Sequence, residues 1–212
     1  MNRTQTDDQP DGVDDPILRR VLSESAYDRV RIERFSHFKQ PIHQKLLVQC
    51  VLLAALTLVL PLYALFPSDA AAYVPTMDPG VASPIALVVG LFALVLELGT
   101  ALLLIGVALY RVREAPLTED QAISLFTTET FATYLGFGTG GLTTAITLGL
   151  LGLGLGGEAT LGTFVETLGG GNPFEPSHLG VSIAAFATAA LTCALFVTLA
   201  RAYVERRVAT LE

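Results

Sequence analysis

Residues 84–110, PIALVVGLFALVLELGTALLLIGVALY, run for 27 positions with one formal charge, Glu97, near the middle. As a helix rising about 1.5 Å per residue, the stretch reaches about 40 Å, more than the roughly 30 Å of a bilayer's hydrocarbon core. A soluble core helix of that length carries charge along one face, so the stretch is expected to cross a membrane. A carboxylate at bilayer depth costs about 2.5–3.5 kcal/mol on insertion scales. Glu97 should therefore turn away from lipid. Helical steps from Glu97 reach Ala86, Gly90, Ala93, Thr100, Ala101 and Ala108. Small residues of this kind let helices approach closely in lipid. Val88, Phe92, Val95, Leu102 and Leu109 fall on the other side and suit acyl chains. The acid is thus predicted to face another helix, of this chain or of a partner.

Three further apolar stretches complete a predicted all-α integral membrane four-helix bundle, with spans at about 46–66, 84–110, 131–155 and 179–203. The 212 residues suit a single bundle, and at 51% hydrophobic and 16% charged they fit a membrane protein better than a soluble domain. Orientation follows from charge. All thirteen basic residues precede the first span, separate the second from the third, or end the fourth; the loops 67–83 and 156–178 have none. Basic residues near short loops stay cytoplasmic. Four spans with both termini cytoplasmic, in the cell membrane, satisfy this rule without exception, whereas three or five would not.

Residues 1–15, with five aspartates and one arginine, read as a disordered acidic tail. Residues 16–45 read as a cytoplasmic amphipathic helix. Asp15-Pro16 forms its start signal, and Ile17, Leu18, Val21, Leu22, Tyr27, Val30 and Phe38 form its apolar side. It would lie either on an anionic leaflet or on the bundle's own cytoplasmic end, and Pro41 should end it before the membrane. Pro61 should kink the far end of the first span. Thr118-Glu119-Asp120-Gln121 has capping-box spacing, opening a helix that runs into the third span. In 156–178, Leu161, Phe164, Val165 and Leu168 have helical spacing and Gly169 follows as a stop, predicting a short external helix in the interface. Pro75-Thr76-Met77-Asp78-Pro79 before span two is loosely similar to Pro173-Phe174-Glu175-Pro176 before span four.

In the third span Thr133, Gly136, Gly140, Thr143 and Thr147 share a face, and Gly136-x-x-x-Gly140 has the small-residue packing spacing. With Gly90 and Ala93 these glycines are the predicted helix-packing positions. By depth along each span, Thr57, Thr143, Thr144 and Thr192 fall near the level of Glu97, and Thr100 and Thr147 lie one turn away. Together these seven residues form a candidate intramembrane polar site in which hydroxyls donate to a carboxylate or accept from an acid.

Catalytic and metal chemistries find little support. GFGTGG lacks the Gly-Lys-Ser/Thr ending of a phosphate loop. His37 and His43 face one side and His178 the other, so they do not share a metal, and no histidine pair sits inside the spans for a haem. No Gly-x-Ser-x-Gly, His-Glu-x-x-His or Cys-x-x-Cys occurs, so no catalytic residue, metal or cofactor is assigned. Cys50 and Cys193 read as two apolar thiols. Acids outnumber bases, which argues against nucleic acid as a partner. Eleven arginines against two lysines, an excess of acids and no tryptophan resemble the proteome bias of salt-loving archaea, in composition only.

Beyond the lipid bilayer, the partners this pattern implies are another membrane protein or a second copy of the chain. Two functions remain. One is a structural or accessory subunit packing through small-residue helix faces. The other is a proton- or cation-coupled transporter or channel using Glu97. Transport needs a second ionisable group or a broken helix at the same depth. The sequence offers neither, which favours the structural reading.

Overall fold

The computed structural model describes residues 26–33, 40–114 and 116–208. The predicted tail at 1–15 and most of the predicted helix at 16–45 lie outside them. The described residues are helical, with one isolated bridge between Pro84 and Pro176 and no strand. The helices are α1 (Ala26–Glu33), α2 (Ile42–Leu56), α3 (Val59–Ala64), α4 (Ala86–Arg113), α5 (Glu119–Tyr134), α6 (Gly141–Gly154), α7 (Gly157–Thr167) and α8 (Ile183–Val208). A 3-10 turn at Ser68–Ala72 follows α3, and a π-helical turn at Leu135–Gly140 joins α5 to α6.

Four stretches are long and apolar enough to cross a membrane: Ile42–Ala64, Ala86–Arg113, Glu119–Gly154 and Ile183–Arg207. Their starts differ from the predicted ones for local reasons. The first begins at Ile42 rather than 46, because Pro41, extended at φ −65° and ψ 154°, stands at its N-cap. Lys45 is therefore part of α2, not of the preceding helix. The third includes the helix predicted to run into it and so begins at Glu119, where Thr118 and Gln121 form the expected capping box: Gln121 N donates to Thr118 Oγ1 at 3.4 Å and Thr118 N donates to Gln121 Oε1 at 3.0 Å. The fourth begins at Ile183 rather than 179, three residues after Gly180, whose φ of +65° ends the incoming loop. The first stretch is interrupted at Thr57–Leu58, one turn before Pro61. Proline brings no N–H to the carbonyl of Thr57.

α4 is the central helix and touches α2, α5, α6 and α8. Ala86, Gly90, Ala93, Glu97, Thr100, Ala101, Leu104 and Ala108 are buried along it. Val88, Phe92, Val95, Leu102 and Leu109 are exposed, as are Val51, Leu142 and Leu199 on the other long helices. Apolar side chains pointing outward on every side suit a hydrocarbon solvent.

The two ends of the bundle are closed differently. At the basic end Ala26, Tyr27 and Val30 of α1 pack with Ala122 and Phe126 of α5, and the Arg111 guanidinium lies 3.7 Å from the Tyr27 ring centre. Arg201 Nε donates to the carbonyl of His43 at 3.0 Å, tying α8 to the start of α2. At the other end the two similar proline-bounded loops cap each other's helices. Ile85 N and Ala86 N donate to the carbonyls of Glu175 and Pro173 at 2.8 and 2.9 Å. Ile183 N and Ala184 N donate to the carbonyls of Ala82 and Pro79 at 2.9 and 3.0 Å. Amides that begin α4 and α8, without acceptors inside their own helices, are thereby satisfied by the opposite loop. α7 follows Gly156 and ends before Gly169, where φ is +67°.

Candidate functional site

Close approach of α4 to the α5–α6 rod builds the site. The two run antiparallel: Gly90 lies against Thr147, Glu97 against Gly140 and Thr100 against Gly136. A Cβ on Gly90 would sit 3.0 Å from Thr147 Cγ2 and 3.1 Å from the Phe186 ring. A Cβ on Gly140 would collide with the Glu97 carboxylate, and one on Gly136 with the Gln49 amide and, at 2.8 Å, with Thr100 Oγ1. Glycine is required at 136 and 140 because polar side chains occupy the space a larger residue would take. Ala93, fully buried, continues the same face.

Glu97, fully buried, meets Gln49 of α2, also fully buried. One end of the Gln49 amide touches Thr100 Oγ1 at 3.0 Å; the other touches Glu97 Oε2 and lies 3.1 Å from the carbonyl oxygen of Glu97. The Thr100 hydroxyl also reaches the carbonyls of Leu96 at 2.8 Å and Glu97 at 3.2 Å. With the nitrogen of the amide toward Glu97, the amide donates to the carboxylate and its oxygen accepts from Thr100.

A second polar contact lies nearer the basic end. Lys45 Nζ and Glu129 Oε1 are 2.7 Å apart, and both residues are 3% exposed. Lys45 stands one helical turn before Gln49. Glu129 is on the face of the α5–α6 rod that carries Thr133, Gly136 and Gly140. Among the described residues, Lys45, Glu97 and Glu129 are the buried charged side chains. Glu97 Oε1, Glu129 Oε2 and Thr144 Oγ1 are buried with no hydrogen-bond partner among the described residues.

The predicted polar site is only partly assembled. Glu97 and Thr100 meet through Gln49. Thr144 and Thr147 are buried on α6 within the same bundle, the Thr147 hydroxyl donating to the carbonyl of Thr143 at 2.8 Å. Thr143 is half-buried and donates to the carbonyls of Thr139 and Gly140 at 2.8 and 3.0 Å. Two hydroxyls do not join. Thr57 lies at the break before Pro61 and donates to the carbonyl of Ala54 at 2.6 Å. Thr192 is exposed and donates to the carbonyl of Thr188 at 2.8 Å, in a shallow groove on the outside of α8 beside Ala184 and Ala189. Thr57 stands eight residues, about 12 Å, beyond Gln49, the residue of its own stretch that meets Glu97, and Thr192 is on the wrong face of α8.

Gln49, Lys45 and Glu129 are the site residues the sequence reading missed. A signal existed. Lys45 and Gln49 are i and i+4, and Glu129 extends the face of Thr133, Gly136 and Gly140 back by one turn. At the depth of Glu97 the sequence offers no second ionisable group and no broken helix. The structure adds a second ionisable couple, the Lys45–Glu129 pair, inside the bundle a turn or more toward the basic end, and a π turn at Leu135–Gly140 that lies directly against Glu97 and Gln49 within a helix continuous from Glu119 to Gly154. π turns arise where one residue is inserted into a helix, often at functional positions.

Comparison with protein-family models, with curated proteins and with solved structures finds no match to this chain.

Proposed function

We propose that the chain is a cell-membrane protein that crosses the bilayer four times with both termini cytoplasmic, and that it serves as a structural or accessory subunit. The carrying observation is the filled interior. Where Gly136 and Gly140 leave room, Gln49 and Glu97 occupy it, so the polar groups act as a clasp between α2, α4 and the α5–α6 rod. In lipid, helix association depends on such close packing and interhelical hydrogen bonds rather than on burial from water. The outward face of the bundle then meets lipid and a membrane-protein partner or a second copy of the chain.

The test is a pair of substitutions in protein purified from membranes. Glu97→Gln keeps shape and hydrogen bonding, so fold and any stoichiometric partner should be retained. Glu97→Leu should disrupt folding or association. If Glu97→Leu leaves both intact, Glu97 is no clasp.

A second reading is favoured by the Lys45–Glu129 pair, a further ionisable couple in the same interior. On that reading the chain is a proton- or cation-coupled transporter or channel with Glu97 as its exchanging group. Flux of protons or cations through reconstituted liposomes, abolished by Glu97→Gln with assembly intact, would replace the accessory reading by this one.

A further inference from the structure

We infer that Glu97 and Gln49 form a proton-binding site in which arrival or departure of one proton reverses the Gln49 amide. The heavy-atom contacts of Glu97 Oε2, the Gln49 amide and Thr100 Oγ1 support two hydrogen-bond patterns without moving the helices. With Glu97 ionised, the Gln49 nitrogen faces Oε2 and donates to it, and the Gln49 oxygen accepts from Thr100 Oγ1. With Glu97 protonated, the carboxylic O–H on Oε2 donates to the Gln49 oxygen and the Gln49 nitrogen donates to Thr100 Oγ1 at 3.0 Å. The Thr100 hydroxyl then donates to the carbonyl of Leu96 at 2.8 Å. In both patterns the Glu97–Gln49 and Gln49–Thr100 contacts are hydrogen bonds; the second Gln49 N–H meets the carbonyl of Glu97, at 3.1 Å, in the ionised pattern alone. A carboxylate offers acceptors alone and a carboxylic acid offers one donor, whereas an amide presents either a donor or an acceptor according to its rotation. An apolar residue at position 49 would serve neither state.

The surroundings permit the reversal. Gly136 lies flat against the Gln49 amide and Gly140 against the carboxylate, so no side chain of the π turn blocks them. α8 brings alanines to this level, Ala190 and Ala194, with Cys193 half-buried at the side. α6 brings the neutral hydroxyls of Thr144 and Thr147. The nearest charged groups are Lys45 and Glu129, which offset each other, and beyond them Arg31 of α1, which repels Lys45, and Arg111 of α4. On release the proton goes to water and Glu97 keeps its electron pair as a carboxylate. This goes beyond a clasp, because a clasp needs one pattern and the site has two.

Infrared spectroscopy of the full chain in lipid vesicles, titrated between pH 5 and pH 10, tests this. The expected result is a buried carboxylic-acid carbonyl band that is lost as pH rises and absent in Glu97→Gln. In Gln49→Met the acid loses its acceptor, so its band should move to higher frequency than in the wild type. A wild-type band that is absent throughout, persists throughout, or keeps its frequency in Gln49→Met would overturn the proposal. Circular dichroism of each variant confirms that the helices are retained. Should Gln49→Met not fold, site-specific 15N labelling of the wild-type Gln49 amide gives the same decision: its resonance must change with the pH that removes the acid band, and an unchanged resonance refutes the switch.

Discussion

Replacing Gly140 by alanine isolates the contact on which the interior rests. The backbone there, at φ −63° and ψ −48°, is one that alanine adopts freely, so the substitution adds a methyl group and no torsional strain. That methyl would occupy the place of Glu97 Oε1. Either the carboxylate gives up its position beside Gln49 or α4 moves off the π turn. Forcing one extra methyl into a packed interior costs about 1–3 kcal/mol. Alanine's stronger helix preference returns up to about 1 kcal/mol, so the net loss should be about 1 kcal/mol. Gly138→Ala is the matched control. It lies in the same turn, and the methyl group it would gain meets no atom within 4 Å, so only the backbone gain applies, about 0.5–1 kcal/mol of stabilisation. The difference between the two variants removes the backbone contribution and should equal the packing cost of about 1–3 kcal/mol. Reversible unfolding of purified protein in mixed micelles by titration with a denaturing detergent measures it. If Gly140→Ala is as stable as Gly138→Ala, Glu97 does not pack against the π turn.

Substitutions at three further places probe other contacts. Lys45→Met or Glu129→Met alone strands one charge of a buried pair and should destabilise by about 3–5 kcal/mol, whereas the two together should be near neutral; the same unfolding assay measures the cycle, and additive losses would show the two side chains do not interact. Thr118→Ala removes the capping-box acceptor and should cost about 1 kcal/mol, read as a lower thermal midpoint; an unchanged midpoint would place the start of α5 elsewhere. Thr192→Ala should shift stability by less than about 0.5 kcal/mol, because the hydroxyl is satisfied within its own helix on an exposed face; a large loss would mean that the outside of α8 is covered.

Much of α4 could be read in advance because its information is local. A residue's face follows from its spacing to Glu97, and the small side chains from Ala86 to Ala108 mark the buried side. The start of α5 was legible for the same reason, since a capping box is complete within four residues. The partners of the charges were not. Lys45 and Glu129 are 84 positions apart and each stands at the edge of an apolar stretch, where a charge normally reaches water. Gln49 carries no charge and drew no attention, although it shares a face with Lys45. Thr57 and Thr192 follow from counting along each apolar stretch, which fixes depth only roughly. Depth ignores rotation about the helix axis, and Thr57 also sits where Pro61 interrupts the helix.

The arrangement of charge relative to the bilayer carries the whole account, and labelling of introduced cysteines tests it directly. In a chain with Cys50 and Cys193 replaced by alanine, single cysteines at Asp78, Glu175, Arg113 and Arg206 are exposed to a membrane-impermeant maleimide on intact cells. Positions 78 and 175 should react at once, and positions 113 and 206 only after the membrane is permeabilised. Reaction of position 78 and position 113 from the same side would contradict the four-span bundle.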